Sequence, residues 1–126
     1  MRYLIDTNCC IYLFAGSFPA LTARVAACEK GGIGLSSIVF AELAMGSLNG
    51  LTPSMDAMDA LIEQMPLLPF DEAAARAYGR LPSKRARFDR LLAAHAVSRG
   101  LAIITNNIAD FADIPDLRVE NWTLPL

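Results

Sequence analysis

Residues Leu101–Thr105, LAIIT, form an unbroken apolar run closed by a threonine and preceded by Gly100. A strand that is apolar on both faces is covered on both faces, and that is the condition of a parallel sheet with helices packed against it. Other short runs fit the same sheet: Arg2–Asp6, Ile33–Ser36 and Leu67–Phe70 read as strands, and Leu117–Trp122 as a last edge strand. The segments between them read as helices. Asn8–Phe14 is a brief one closed by Gly16 and Pro19, and Ala20–Lys30 stops at Gly31 and Gly32. A third opens at Ser36 or Ser37 and carries Glu42. Ser54–Met65 follows Thr52 as cap with Pro53 at the first position, and its Asp56, Asp59 and Glu63 form a solvated face. Asp71 caps EAAARAYGRL, which Pro82 breaks, and Ala86–Arg99 ends at Gly100. This alternation predicts an α/β three-layer sandwich, a mostly parallel central sheet flanked by helices, built as one domain over residues 1–126.

Composition narrows the class. With 54% hydrophobic and 19% charged residues, the chain is neither disordered nor a coiled coil. No apolar run reaches the roughly 18 residues of a membrane span, and Asp6 interrupts the amino terminus before a signal-peptide core forms. A cytoplasmic location without membrane contact is expected. The three cysteines, Cys9, Cys10 and Cys28, include no CxxC pair, and only one histidine, His95, accompanies them. Zinc frameworks and disulfide scaffolds are excluded on that count, so the cysteines read as core residues. His95, set among alanines and leucines in LLAAHAVS, reads as a packed helix residue and not as a base. The glycines of GGIG match no phosphate-binding fingerprint and read as a turn.

Two acids stand alone. Asp6 is the only charge between Tyr3 and Ala23, and Glu42 the only one between Gly31 and Met55. Burying an ionised carboxylate costs several kcal/mol unless it is compensated. Neither acid has a basic neighbour in sequence, so compensation comes from across the fold or from a cation. In an open parallel sheet, ligands bind beyond the carboxyl ends of the strands. Asp6 ends the first strand, the Asn106–Asp110 loop leaves the late one, and two helices bring Glu42 and Asp89 toward the same rim. Carboxylates within ~4 Å of one another repel by about 4 kcal/mol per pair at an effective dielectric of about 20, which calls for a cation or for raised pKa values. All-oxygen ligation favours Mg²⁺ or Mn²⁺, and such a site suits phosphodiester hydrolysis.

The motifs LIDTN with Asp6, SSIVFAEL with Glu42, FDRLLAAHAVSRGLAIITNNIADF with Asp89, and the ending LRVENW resemble the PIN-domain family, specifically VapC-type toxins of bacterial toxin–antitoxin pairs. The resemblance implies a PIN-like sandwich and a Mg²⁺- or Mn²⁺-dependent endoribonuclease acting on tRNA, rRNA or mRNA. It also implies a homodimer held in check by a VapB-like antitoxin. Asp6, Glu42 and Asp89 carry over as the acidic site, with Asp6 and Asp89 as metal ligands. This chain departs from the family pattern twice. Asn107 stands where many members have an acid, so either Asp110 serves in its place or the site runs on three acids. Lys84, Arg85, Ala86, Arg87 and Phe88 replace the usual glycine-proline turn before Asp89.

Seven of the eleven basic residues lie between Arg76 and Arg99, where Asp89 is the only acid. A basic band beside a metal-site acid offers a track for a phosphate backbone, and Lys84, Arg85 and Arg87 are the expected RNA contacts. A solvated helix face is the alternative. Thr7 and Asn8 read either as donors to phosphate or a metal-bound water, or as helix caps, and Asn107 joins them as a candidate substrate contact. Other readings of the whole chain are a degenerate PIN module that binds RNA or a protein without cutting it, and phosphotransfer through Asp6. The second is disfavoured because Asn8 stands where a second acid is wanted. Inhibition by an arginine or lysine inserted from the antitoxin is expected, since it would replace the positive charge of the metal.

Overall fold

The computed structural model describes residues 1–82 and 88–125. Its sheet has five strands in the order β3-β2-β1-β4-β5, where β1 is Tyr3–Ile5, β2 Ile33–Ser36, β3 Leu67–Leu68, β4 Ala102–Ile104 and β5 Val119–Glu120. Every pairing is parallel, with Tyr3 opposite Ile33 on one side and Ala102 on the other. The six helices among the described residues are α1 (Thr7–Ala15), α2 (Pro19–Ala27), α3 (Ser37–Leu48), α4 (Met55–Gln64), α5 (Glu72–Gly79) and α6 (Phe88–Arg99). A 3₁₀ turn, Ile108–Phe111, follows β4. The chain steps from β1 to β2 to β3 in one direction, and the α5–α6 connection carries it back across. Right-handed crossovers therefore lay helices on both faces, and the expected α/β sandwich is formed.

LAIIT is buried throughout, and it lies beside β1 at the sheet's centre, where Leu4, Ile5, Ile103 and Ile104 are fully buried. Cys9, Cys10 and Trp122 belong to the same core, as their apolar character predicts. Several element ends differ from expectation. The second helix stops at Ala27 because Cys28 turns extended, and Pro19 opens that helix at its first turn where it was read as closing the unit before it. Gly16 alone closes α1, in the left-handed conformation that glycine adopts without strain. Ser54, not Thr52, caps α4, its hydroxyl accepting from the Ala57 N–H at 3.2 Å. The edge strands β3 and β5 have two residues each, shorter than the expected Leu67–Phe70 and Leu117–Trp122, since pairing is lost where one neighbour is missing.

No single helix among the described residues is long and apolar enough to cross a membrane. Together α1 and α2 carry comparable apolar length, but they are bent by 102°.

Candidate functional site

Strand order reverses between β1 and β4, and at such a switch point the two carboxyl ends leave a crevice. Asp6 stands directly at it. Its N–H donates to the Ile104 carbonyl at 3.0 Å, which extends the β1–β4 ladder by one bond, and its Oδ1 accepts from the Cys9 N–H at 2.7 Å. The same carboxylate caps α1 and faces the crevice. It is 7% exposed, and the helix N-terminus supplies the compensation its isolation demanded. The expected cap is formed, and it stands at the crevice where a site acid is expected.

Glu42 comes in on α3. Its Oε1 accepts from the Thr7 hydroxyl at 2.7 Å, a contact spanning 35 residues of sequence. Thr7 opens α1 without capping it: its hydroxyl fixes Glu42, and the residue stays half-buried beside that acid. Asn8 is exposed at the rim. Asp89, in the first turn of α6, is held above the usual carboxylate range. Burial is the largest cause, followed by the charge of Asp110 and a hydrogen bond shared with it, then by the charges of Asp6 and Glu42. That set of neighbours brings the four acids to one place. Of the two candidates for a fourth position, Asp110 meets Asp89, while Asn107 Nδ2 donates to Asp110 Oδ2 at 2.6 Å and steadies it. Among the described residues no three acid, histidine or cysteine side chains are yet gathered at ligating distance around one point, so the carboxylates would have to draw in to grip an ion.

The donor set suits a hard cation. Four carboxylates face one another, while burial and the charge of Asp6 push the Cys9 and Cys10 thiols up and keep them protonated. His95 is buried and turned to Ser36. Oxygen ligands without imidazole or thiolate fit Mg²⁺ or Mn²⁺.

The basic band is thinner than its sequence suggests. Arg90 is not on it: it is 6% exposed and forms a two-pronged pair with Asp113, Nη1 to Oδ1 and Nη2 to Oδ2, each at 2.8 Å. Arg76 is tied to Glu72 at 2.7 Å. Lys84, Arg85 and Arg87 lie outside the described residues.

Two features carry no signature in the sequence. The Arg90–Asp113 pair fastens α6, which holds Asp89, to the segment after the 3₁₀ turn, which holds Asp110. Beside the acids, a cavity of about 290 Å³ runs from Thr7 and Glu42 along Ile11, Met45 and Leu51. Met45 and Leu51, which line it, are 60% and 65% exposed. A helix that is apolar on every side, as α3 is, hints at such a surface, but only the packing tells which side stays open.

The profile of the PIN domain family matches residues 3–117. The tRNA(fMet)-specific endonuclease VapC of Shigella flexneri is 30% identical, over 98% of this chain and 99% of its own length. Among solved structures, DNA-bound VapBC from Salmonella typhimurium superposes with a TM-score of 0.86 at 28% identity, covering 97% of this chain and 98% of the other. VapBC2 from Rickettsia felis, bound to a promoter DNA fragment, gives 0.80 at 26%, covering 97% and 99%.

Proposed function

Because the chain belongs to the PIN-domain family, among the VapC ribonucleases, we propose that it is a divalent-metal-dependent endoribonuclease, the toxin of a toxin–antitoxin pair acting in the bacterial cytoplasm. The observation that carries this reading is the meeting of Asp6, Glu42, Asp89 and Asp110 at the carboxyl-end crevice of a parallel sheet. When bound there, Mg²⁺ or Mn²⁺ supplies activation of water and neutralisation of the charge that builds on the scissile phosphate. The chain's own residues prepare the place. Asp6 is held on Oδ1 by the start of α1, leaving Oδ2 as a ligand. Thr7 holds Glu42, and Asn107 holds Asp110. Asp89 shares a hydrogen bond with Asp110, and a cation bound there would favour its ionised form. Asn8, Asn107, Lys84, Arg85 and Arg87 are the side chains proposed to meet the RNA.

The VapBC complexes among its structural relatives support a VapB-like antitoxin as partner. The apolar cavity that begins at Glu42 is a surface on which an antitoxin segment can lie while a basic side chain reaches the acids. A homodimer is part of the same reading.

Cleavage of RNA with and without Mn²⁺ or Mg²⁺ tests the proposal, with tRNA first because the Shigella relative is named for it. Metal-dependent fragments are expected from the native chain, and none from Asp6→Ala or Asp89→Ala. Fragments that persist in both variants, or that form equally well in a chelator, would overturn it.

A further inference from the structure

His95 and Ser36 are both fully buried, and His95 Nδ1 lies 2.8 Å from Ser36 Oγ. Ser36 Oγ already accepts from the Ile38 N–H at 3.1 Å, at the first turn of α3. Its own hydrogen is thus available to donate to the imidazole, an arrangement in which Nδ1 accepts and the ring proton sits on Nε2. Nε2 lies toward the Pro69 carbonyl without closing a bond to it. The junction gathers four segments. Ser36 ends β2 and starts α3, His95 sits mid-way along α6, the Phe70 ring meets the imidazole edge-on at 5.5 Å, and Ser37 Oγ accepts from the Phe70 N–H at 2.9 Å.

Its place relative to the acids is what matters. Glu42 lies six residues beyond Ser36 on α3, and Asp89 six residues before His95 on α6. At 1.5 Å per residue, the bond stands about 9 Å of helix from each carboxylate. We propose that the buried Ser36–His95 hydrogen bond is a positioning device that sets the helix bearing Glu42 against the helix bearing Asp89, so that both carboxylates reach one divalent cation. Ligand geometry tolerates misplacement of only about half an ångström, and a joint lying this near both acids governs displacements of that size. A polar pair at 0% exposure costs more to keep than an apolar pair filling the same space, the more so because Nε2 has no partner, and its retention calls for a role. The role rests on the proposed cation site, and its test keeps the two apart.

The test is calorimetric titration of the full chain with Mn²⁺, alongside thermal melting, for the native protein, His95→Phe, His95→Asn and Ser36→Ala. Phenylalanine keeps a ring but has no acceptor, whereas asparagine can present an oxygen close to where Nδ1 stands. His95→Phe and Ser36→Ala are each expected to weaken Mn²⁺ binding about tenfold, His95→Asn to restore most of it, and the double change to add little to either single one. Leu21→Ala, a core truncation under α2, serves as control: it lowers the melting temperature and leaves Mn²⁺ affinity near native. Equal affinity in native and His95→Phe proteins, or an equal loss in the Leu21→Ala control, overturns the positioning role alone. Failure of the native chain to bind Mn²⁺ overturns the cation site and the role together. The ¹⁵N resonances of the imidazole give a test on the unaltered protein. A proton on Nε2 is expected at neutral pH, and a proton on Nδ1 would overturn the hydrogen-bond assignment whatever the variants do.

Discussion

Asp89 is the residue at which stability and activity pull apart. Its carboxyl is held above the usual range by burial and by three neighbouring acids, so ionising it costs the folded state more than the unfolded one. For an acid raised in this way, the penalty is absent at low pH, where both states are protonated. It appears as pH rises above the unfolded value of 3.8, and it is fully present above the folded one. Asp89→Asn removes the charge and keeps the shape. At neutral pH it should raise the melting temperature of the metal-free chain by roughly 1–3 °C, a modest gain because water reaches the group and screens it. Cleavage should disappear in the same variant, and the gain should vanish when both proteins are melted near pH 3. A variant no more stable than native at pH 7 would show that Asp89 is not electrostatically crowded. Asp6 and Glu42 were legible in the sequence because each stands alone in a long uncharged stretch, and isolation of a charge survives projection onto one dimension. Asp110 was legible only as one of two options: its meeting with Asp89 depends on a 3₁₀ turn whose direction no periodicity records.

Arg90 makes the same point for elements. In sequence it belongs to a run of basic residues. In the fold it turns inward, because Asp113, 23 residues further on, arrives beside it. Charge counted in a window cannot see a partner outside that window. The pair fastens α6 to the segment behind the 3₁₀ turn, so Arg90→Met should loosen Asp110 relative to Asp89. The expected outcome is Mn²⁺ affinity lowered several-fold, a lower melting temperature, and protease cutting that starts after Asn106. Cutting that starts elsewhere would place the clamp's work in another part of the molecule. The arginine side chain holds Asp113 below the usual carboxylate range, so this contribution is present at neutral pH and is lost as pH falls below about 3.8 through the folded value. The order and type of elements were readable from alternation and apolar runs. Their ends were less so: α2 stops three residues before Lys30 and β3 keeps two residues of its run, because helix ends and edge pairing answer to neighbours that are distant in sequence.

On the scale of the whole molecule, the acidic crevice and the apolar cavity share Thr7 and Glu42, so a partner seated in the cavity lies at the threshold of the site. Met45→Asp combined with Leu51→Asp alters only exposed side chains. The double variant should fold and cut RNA as the native chain does, while its cognate antitoxin binds at least about 100-fold more weakly, the equivalent of roughly 2.7 kcal/mol from two apolar contacts. Competition titration of cleavage against antitoxin measures this directly, and unchanged inhibition would move the antitoxin to another face.

The order of the sheet sets a schedule for synthesis. The strand β4, which pairs with the central β1, is drawn from residues 102–104, and two of the four acids come from residues 89 and 110. A growing chain that has emerged only as far as α5 holds Asp6 and Glu42 but neither Asp89 nor Asp110, and β1 is open along the edge that β4 will occupy. A ribosome that stalls or falls off before residue 102 releases a fragment unable to assemble the crevice. The proposed poison is thus inert while its first hundred or so residues are being made, and becomes dangerous to its maker only once β4 and Asp110 have followed.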